Sequence, residues 1–252
     1  NMLMQQAHSA KKMQKTEAIV LNKIKYSDSS FIVNLISEDL GRFAAMVRVS
    51  KSSKSNIKQA SFFPLNIIET EINLKNNREV QTLTYCNNVE NLQNILLDIN
   101  KLTIAQFIAE IILKTIKEKE TNSKTYNYIK NFTLELNSNS SETNNIHLLF
   151  LKDFAALSGF EMYNNYCKET PFFNIKEGLF SPVFTSSTES LDLHESQILF
   201  NLLSAKNTNE LIKLNSNNKR LLIEKILLFY EHHIPNFGKT KSLKILQEVF
   251  ND

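Results

Sequence analysis

The stretch from Thr16 to Arg48, TEAIVLNKIKYSDSSFIVNLISEDLGRFAAMVR, decides the fold class of this 252-residue chain. It contains three runs rich in Ile, Val, Leu and Phe. Turn-forming residues separate them, at 27–29 and at 39–41. Short runs of this composition between turn residues are typical of β-strands. The stretch therefore predicts three consecutive strands, at Glu17–Ile24, Ser30–Ile36 and Arg42–Arg48.

Two further strands follow. Phe63–Ile72 and Glu79–Tyr85 have the same composition, and the turn residues Asn76 and Asn77 separate them. Five short strands with a long loop after the third favour a small barrel of the OB type, because closure leaves no exposed sheet edge. The first 90 residues therefore predict a five-stranded OB-like barrel.

The period of the apolar residues changes after Asn91. Leu92, Ile95 and Ile99, and then a wide apolar stripe from Ile104 to Ile116, repeat at helical spacing. The chain as a whole is therefore predicted to be α+β, with a helical domain after the barrel. Further helices are expected at Thr125–Asn137, Ile146–Leu157, Leu193–Ala205, Asn209–Leu214, Lys219–Ile234 and Thr240–Phe250.

The domain boundaries follow from these patterns. We expect a barrel domain at 13–90 and a helical domain at 91–252, with an irregular insert at 160–190 that contains Pro171, Gly178 and Pro182. Residues 1–12 show no secretory signal. Met13 resembles a natural start, so we interpret residues 1–12 as a leader or a cloning remnant.

Composition excludes several classes of function. Only four glycines are present, all far apart, so a Gly-rich nucleotide-binding loop is not expected. Two cysteines without a CxxC spacing exclude a four-thiolate zinc site within one chain and are typical of a cytoplasmic protein. No apolar run reaches the length of a membrane span. No pairing of a nucleophile with a base is evident, so we expect neither an enzyme nor a cofactor.

The strongest functional signal is the stretch Arg42–Lys58, RFAAMVRVSKSSKSNIK. It has no acidic residue and five basic ones. Cations on a loop that leaves a barrel can follow a nucleic-acid backbone without reading bases. If all five bound single-stranded DNA, log K would fall against log salt with a slope of about −3.5. The alternative is a solvated loop whose lysines only maintain solubility. The basic residues are Arg42, Arg48, Lys51, Lys54 and Lys58.

Other residues could extend this surface. Lys23 and Lys25 lie near the first turn, and Tyr26 between them and the turn could stack on a base. Four phenylalanines in or beside the strands could also stack, although phenylalanine at a strand position is usually core. These are Phe31, Phe43, Phe62 and Phe63.

Four segments together resemble the RecO family of bacterial DNA repair proteins. They occur in the family's order from about Gln14 to the end of the chain. The first is Thr16–Arg48, quoted above. The others are FIAEIILKTIKEKETNSKTYNYI (Phe107–Ile129), LLFLKDFAALSGFEM (Leu148–Met162) and TKSLKILQEVF (Thr240–Phe250).

The resemblance implies a cytoplasmic recombination mediator that is not an enzyme. Such a protein binds single- and double-stranded DNA and anneals complementary strands. It also helps to load RecA onto DNA coated by single-strand-binding protein (SSB), together with the partner RecR. The alternatives are an OB-fold RNA-binding protein and an adaptor whose basic loop binds an acidic protein.

Two departures from the family pattern are visible. Many members carry a four-cysteine zinc site in the insert, but here only Cys167 remains of the first pair, and Gly178–Val183 lacks the second. We therefore predict no zinc, with Phe172, Phe173, Phe180 and Phe184 packing together instead. The family often has glycine where this chain has Val49, which leaves the path of the basic loop open.

The SSB partner implies a second site. The acidic SSB tail ends in an apolar residue, so it needs an apolar groove with a cationic rim. The helical domain offers several cations for that rim, and the sequence does not choose among them. They are Lys114, Lys117, Lys152, Lys219 and Arg220.

Overall fold

A computed structural model describes residues 12–49, 57–75, 77–138, 145–211 and 214–249. Its N-terminal part is a closed barrel of five strands in the order β1-β2-β3-β5-β4. This confirms the predicted OB-like barrel and the α+β class. The strands are β1 (Lys12–Ser27), β2 (Ser30–Ser37), β3 (Gly41–Arg48), β4 (Ile67–Leu74) and β5 (Val80–Asn88).

Alternation of side chains builds the barrel core. In β2 and β3, alternate residues such as Val33 and Ala45 are fully buried, while their neighbours face outward. Strand β1 pairs first with β4 and then with β2, and its register shifts at two points. Such irregularities bend a strand and help a sheet to close. The interior is filled by Ala18, Val20, Phe31, Val33, Leu35, Phe43, Ala45, Val47, Phe62, Ile68, Ile72, Leu83 and Cys86.

The largest differences from the predicted strand boundaries are at the starts of β1 and β4. Strand β1 begins at Lys12, which pairs with Leu74, so part of the proposed leader belongs to the barrel. Strand β4 begins at Ile67 rather than at Phe63. Pro64 supplies no backbone N–H, and Leu65 takes a positive φ of 65°, which no strand residue adopts.

The barrel unit also includes a segment from later in the chain. By contacts, one compact unit consists of residues 1–91 and 117–126, and the other of 92–116 and 127–252. The Lys119 amide donates to the Arg42 carbonyl at 2.9 Å, and the Tyr126 hydroxyl donates to Glu17 at 2.8 Å. Helical periodicity could not reveal this, because the segment joins the strands only through tertiary contacts.

Within the barrel unit, Gly41 packs so closely against this segment that a side chain would not fit. Its φ is +63°, and a Cβ atom built there would lie 2.3 Å from the carbonyl oxygen of Glu120. Real Cβ atoms do not approach a backbone oxygen so closely, so this position requires glycine.

The rest of the described chain is mainly helical, as predicted. One predicted helix is wrong. Residues 209–214 were expected to be helical, but the described part forms only a short 3-10 turn at Thr208–Glu210. The side chains of Asn207 and Glu210 bond locally there, which favours a turn. The helices are α1 (Gln93–Leu97), α2 (Ile99–Thr115), α3 (Ser123–Asn137), α4 (Ile146–Leu157), α5 (Leu193–Ser204), α6 (Ser216–His233) and α7 (Ser242–Val249).

A carboxylate on α2 holds the start of α7. Glu110 accepts hydrogen bonds from the Ser242 amide at 2.8 Å, the Ser242 hydroxyl at 2.6 Å and the Lys241 amide at 2.9 Å. One turn later, Lys114 pairs with Glu110 and donates to the carbonyl of Lys239 at 2.6 Å. The unsatisfied N–H groups at the start of α7 are therefore capped by a side chain distant in sequence.

The insert contains a small hairpin that the sequence did not predict. Strands β6 (Phe172–Asn174) and β7 (Leu179–Ser181) pair with each other. The amide side chain of Asn165 both donates to and accepts from the backbone of Phe180, at 2.9 and 2.8 Å. The Cys167 sulfur lies 3.1 Å from the Thr170 hydroxyl, in a turn ahead of the hairpin.

Aromatic packing in the insert confirms that its four phenylalanines contact one another, as two pairs. The ring centroids of Phe173 and Phe180 are 5.1 Å apart, and those of Phe172 and Phe184 are 5.6 Å apart. Across the five described ranges, no three His, Cys, Asp or Glu side chains are placed to hold a metal ion. Within the same ranges, no helix has the length and apolar character needed to cross a membrane.

Candidate nucleic-acid interface

The structure joins the β1–β2 turn to the exit of β3 at one end of the barrel. Ser30 pairs with Arg48 across the sheet, and the Val49 amide donates to the Ser29 carbonyl at 2.9 Å. Val49 does not have a positive φ, so this position does not require glycine. The β1–β2 turn and the exit of β3 therefore lie side by side, and we call this region the loop end.

Most of the predicted basic residues that the structure describes lie at the loop end. Lys23, Arg48 and Lys58 are exposed, as is Lys25, which pairs with Asp28 at 3.2 Å in full solvent. An ion pair this exposed contributes little, so Lys25 stays available to a phosphate. Lys51 and Lys54 lie outside the described residues.

Both ends of the basic loop are anchored. Val49 and Ile57, on either side of 50–56, pack against the barrel core. The loop therefore starts and finishes on the barrel, and Lys58 follows the second anchor directly.

Arg42 lies apart from the other basic residues. It faces outward from β3, six residues before Arg48, which corresponds to about 20 Å along a strand. Its side chain is only 16% exposed and pairs with Glu118 at 3.7 Å. A phosphate would have to compete with that carboxylate, so Arg42 is the weakest of the predicted contacts.

The surroundings of Arg42 do not favour an anion. A cleft of about 400 Å³ opens beside it in the barrel unit. Equal numbers of acidic and basic side chains line it, so it has no net attraction for phosphate. The acidic side chains are Asp39, Glu79 and Glu118, and the basic ones are Arg42, Lys75 and Lys119.

The aromatic candidates separate clearly. Phe31, Phe43 and Phe62 are buried in the barrel core, and the rings of Phe31 and Phe62 make an edge contact at 5.2 Å. The core interpretation is thus confirmed for these three, and Phe63 is half-buried. Tyr26, by contrast, is 67% exposed at the loop end. It remains the aromatic residue placed to contact a base.

Sequence reasoning missed the outward face of the strands. Ile24, Ile32 and Met46 are cross-strand neighbours that point away from the core. We call these three residues the apolar row. The run FIVNLI at 31–36 is apolar on both faces, a signal that could have identified an outward apolar position.

The cations predicted for a second site fall into different places. Lys114 and Lys152 are largely buried and bond to the backbone carbonyls of Lys239 and Ala205. Lys117 belongs to the barrel unit, where it is exposed. None of these three is placed to form the rim of a groove in the helical unit.

Lys219 and Arg220, however, share a cavity of the helical unit. It is small, about 20 Å³, and Ile223 and Leu246 contribute apolar surface. Burial lowers the pKa of Lys219. At the same cavity, His147 is 2% exposed, and burial together with Lys219 lowers its pKa to about 3, so this imidazole is neutral. Two cations beside an apolar floor match the chemistry of a short acidic tail.

Several acidic and histidine side chains of the helical unit have structural roles. Glu195 completes a capping box with Asp192 at the start of α5 and pairs with Lys225 at 3.7 Å. Asp153 accepts from the Tyr128 hydroxyl at 3.3 Å. His233 lies against the ring of Phe229, 4.3 Å between centroids. Among the residues described, these groups do not assemble into a catalytic arrangement.

Comparison with known proteins agrees with this architecture. Two family models match the chain: "Recombination protein O N terminal" over residues 12–92 and "Recombination protein O C terminal" over residues 96–244. The first covers all five strands, and the second begins at the helical unit. Together they span most of the chain.

Individual relatives are similar over nearly their whole length. The DNA repair protein RecO of Flavobacterium psychrophilum is 35% identical over 94% of this chain and 99% of its own. That of Azobacteroides pseudotrichonymphae is 30% identical with the same coverage, and that of Bacteroides fragilis is 28% identical over 95% of this chain and 100% of its own.

Proposed function

Because the chain belongs to the RecO family and shares its role in DNA repair and recombination, we propose that it is a cytoplasmic recombination mediator without catalytic activity. It binds single- and double-stranded DNA through the barrel and anneals complementary strands. With RecR as its partner, it helps RecA to load onto DNA coated by SSB. The observation that supports DNA binding most directly is the loop end, where separate strands bring exposed cations together.

The proposed mechanism is electrostatic. Two DNA strands repel each other through their phosphates, and a cationic surface that binds one strand reduces this repulsion as the second approaches. Lys23, Arg48 and Lys58 are exposed for this purpose, and Lys51 and Lys54 of the same loop add to them. The cations follow the backbone, so binding is expected to be independent of sequence.

Changing Lys51, Lys54 and Lys58 to Ala tests this interface. The triple variant should bind all DNA sequences more weakly. The slope of log K against log salt should fall in magnitude by about 2, because each lost contact with a single strand contributes about 0.7. Band shifts at several salt concentrations measure both effects.

A matched control removes the same charge elsewhere. Lys168, Lys176 and Lys206 are exposed in the helical unit, and the loop end belongs to the barrel unit. Changing these three to Ala should leave the slope within about 0.5 of the parent. If both triple variants showed the same slope as the parent, the loop would have no part in DNA binding.

Competition between single-stranded DNA and structured RNA distinguishes the mediator from an RNA-binding protein.

The proposed SSB site is the cavity beside Lys219 and Arg220. An acidic tail that ends in an apolar residue would place its carboxylates on these cations, and the cavity would have to widen for the last side chain to reach Leu246, which is buried. Arg220 is exposed and pairs with Glu224 at 3.2 Å in solvent, a weak pair that a tail carboxylate can replace.

Substituting both Lys219 and Arg220 with Ala should weaken binding of a labelled SSB-tail peptide to the full-length chain by about tenfold or more. Fluorescence anisotropy measures it. Lys244, which is 85% exposed on α7, provides the control, and K244A should bind as the parent does. Unchanged affinity in the double variant would place the tail elsewhere.

A further inference from the structure

The apolar row lies across the strands rather than along one of them. Ile24 pairs with Ile32, Ile32 with Met46, and Met46 with Thr82 of β5. Because neighbouring strands are about 4.8 Å apart, the row with Thr82 spans about 14 Å. This is a continuous path over the outside of the barrel, next to the loop end.

These side chains have no role in the core. Ile24 is 53% exposed, and Ile32 and Met46 are half-buried on the outward face. Single exposed apolar residues are common on protein surfaces, but a row of cross-strand neighbours is a patch. An exposed apolar patch lowers the solubility of a protein, so its presence here suggests a ligand with an apolar surface.

Charge around the row indicates what that ligand is. Arg48 lies two residues from Met46 on the same outward face of β3, and the exposed Lys23 and Lys25 flank Ile24 in β1, where strand alternation directs them to the opposite face. In the described segments 22–34, 44–49 and 57–63, the one acidic residue is Asp28, which is paired with Lys25. The ligand therefore has apolar surface and negative charge side by side. Unstacked single-stranded DNA has both, in its base faces and its phosphates.

We propose that the apolar row contacts the unstacked bases of a single DNA strand while the neighbouring cations hold its phosphates. A duplex buries its base faces in its own stack, so it can reach the cations but not the row. Single and double strands would then use different contacts on one surface. This inference rests on the proposed DNA-binding function and specifies which form of DNA each group of residues contacts.

The aliphatic nature of the row suits strand annealing. Stacking on an aromatic ring would hold each base firmly, whereas isoleucine and methionine offer no ring face. Bases on the row can therefore leave for a complementary strand, whose stacked pairs compensate for the lost contact. Beside the row, at the described β1–β2 turn, the exposed aromatic residue is Tyr26.

A tryptophan probe tests the proposal directly, because the chain contains no tryptophan. In the full-length I24W variant, a single-stranded oligonucleotide should quench the tryptophan emission, and a duplex of equal length should not. The affinity of the variant for single strands should rise at least about fivefold, since an indole adds stacking. The variant should also anneal complementary strands more slowly. In the control L97W, at a position 82% exposed in the helical unit, neither DNA should change the emission.

A loss variant guards against an effect of the indole itself. I24S combined with I32S should weaken single-strand binding about fivefold, leave duplex binding unchanged and preserve the salt slope, because no cation is removed. Equal quenching of I24W by duplex and single strand would overturn the proposal, as would no quenching while anisotropy shows binding. Quenching by poly-glutamate instead of DNA would assign the row to an acidic protein. If the unmodified protein bound no DNA at all, the proposed function itself would be refuted.

Discussion

Replacing Gly41 with Ala is expected to destabilise the barrel unit by about 2–5 kcal/mol, since the positive φ costs about 1–2 and the overpacking about 1–3 kcal/mol. The new Cβ would lie 2.3 Å from the Glu120 carbonyl oxygen. Both partners are backbone, so neither can rotate away. The segment 117–121 must move off the start of β3 or the strand must distort. Urea unfolding of the purified chain measures the loss.

Gly159 separates the two causes of this loss. It also has a positive φ, +86°, but a Cβ there would have no atom within 4 Å. G159A should therefore lose only the conformational part, about 1–2 kcal/mol. If G41A and G159A lost the same stability, close contact with Glu120 would not be what requires glycine at position 41.

Replacing Glu110 with Gln is expected to cost about 2–4 kcal/mol and to loosen α7. A carboxylate offers two acceptor oxygens, which the Ser242 and Lys241 groups occupy. An amide would place a donor against one of these donors, and bonds to a charged acceptor are worth about 1.5–3 kcal/mol each. Lys114 would also lose its ionic partner. Thermal unfolding and hydrogen exchange at residues 238–249 measure the change.

The same contact predicts a dependence on pH. Burial alone would raise the pKa of Glu110, but the bonds from Ser242 and Lys241 and the charge of Lys114 outweigh it and lower the pKa. A carboxyl with a lowered pKa in the folded state stabilises it fully above the unfolded pKa, about 4.3. The stabilisation is lost as pH falls below that value and through the folded pKa.

The variant E110Q should therefore lose this part of the acid sensitivity. Glu248, on α7 itself, provides the control, because it is 65% exposed and its pair with Lys244 is long, at 3.9 Å. E248Q should change stability by less than about 0.5 kcal/mol. Identical stability of E110Q and the parent at neutral pH would show that this carboxylate does not hold α7.

Much of the fold could be predicted because its signals are local. Runs rich in β-branched and aromatic residues, separated by turn-forming residues, identified five strands, and apolar periodicity located the long helices. The start of β4 was misplaced because Phe63 and Leu65 look like strand residues, although Pro64 and the positive φ of Leu65 make a turn. Composition alone does not show backbone geometry of this kind.

The candidate site was only partly predictable for a related reason. Charge is visible in a sequence, so the lysines and arginines were found, although Arg42 lies in an ion pair with Glu118. The outward direction of Ile24 depends on the register shift between Val20 and Asn22 in β1, which becomes evident only once the strands are paired. A single-residue shift reverses the face to which a side chain points.

The late segment 117–126 has a consequence for the order in which the protein can mature. The five strands emerge from the ribosome before helix α2 and the residues that follow it. Domains generally fold as they emerge, yet this barrel unit lacks Tyr126 and the partner of Gly41 until later translation. We therefore expect the nascent barrel to stay incomplete until segment 117–126 has emerged, and a fragment that ends at residue 91 to fold poorly.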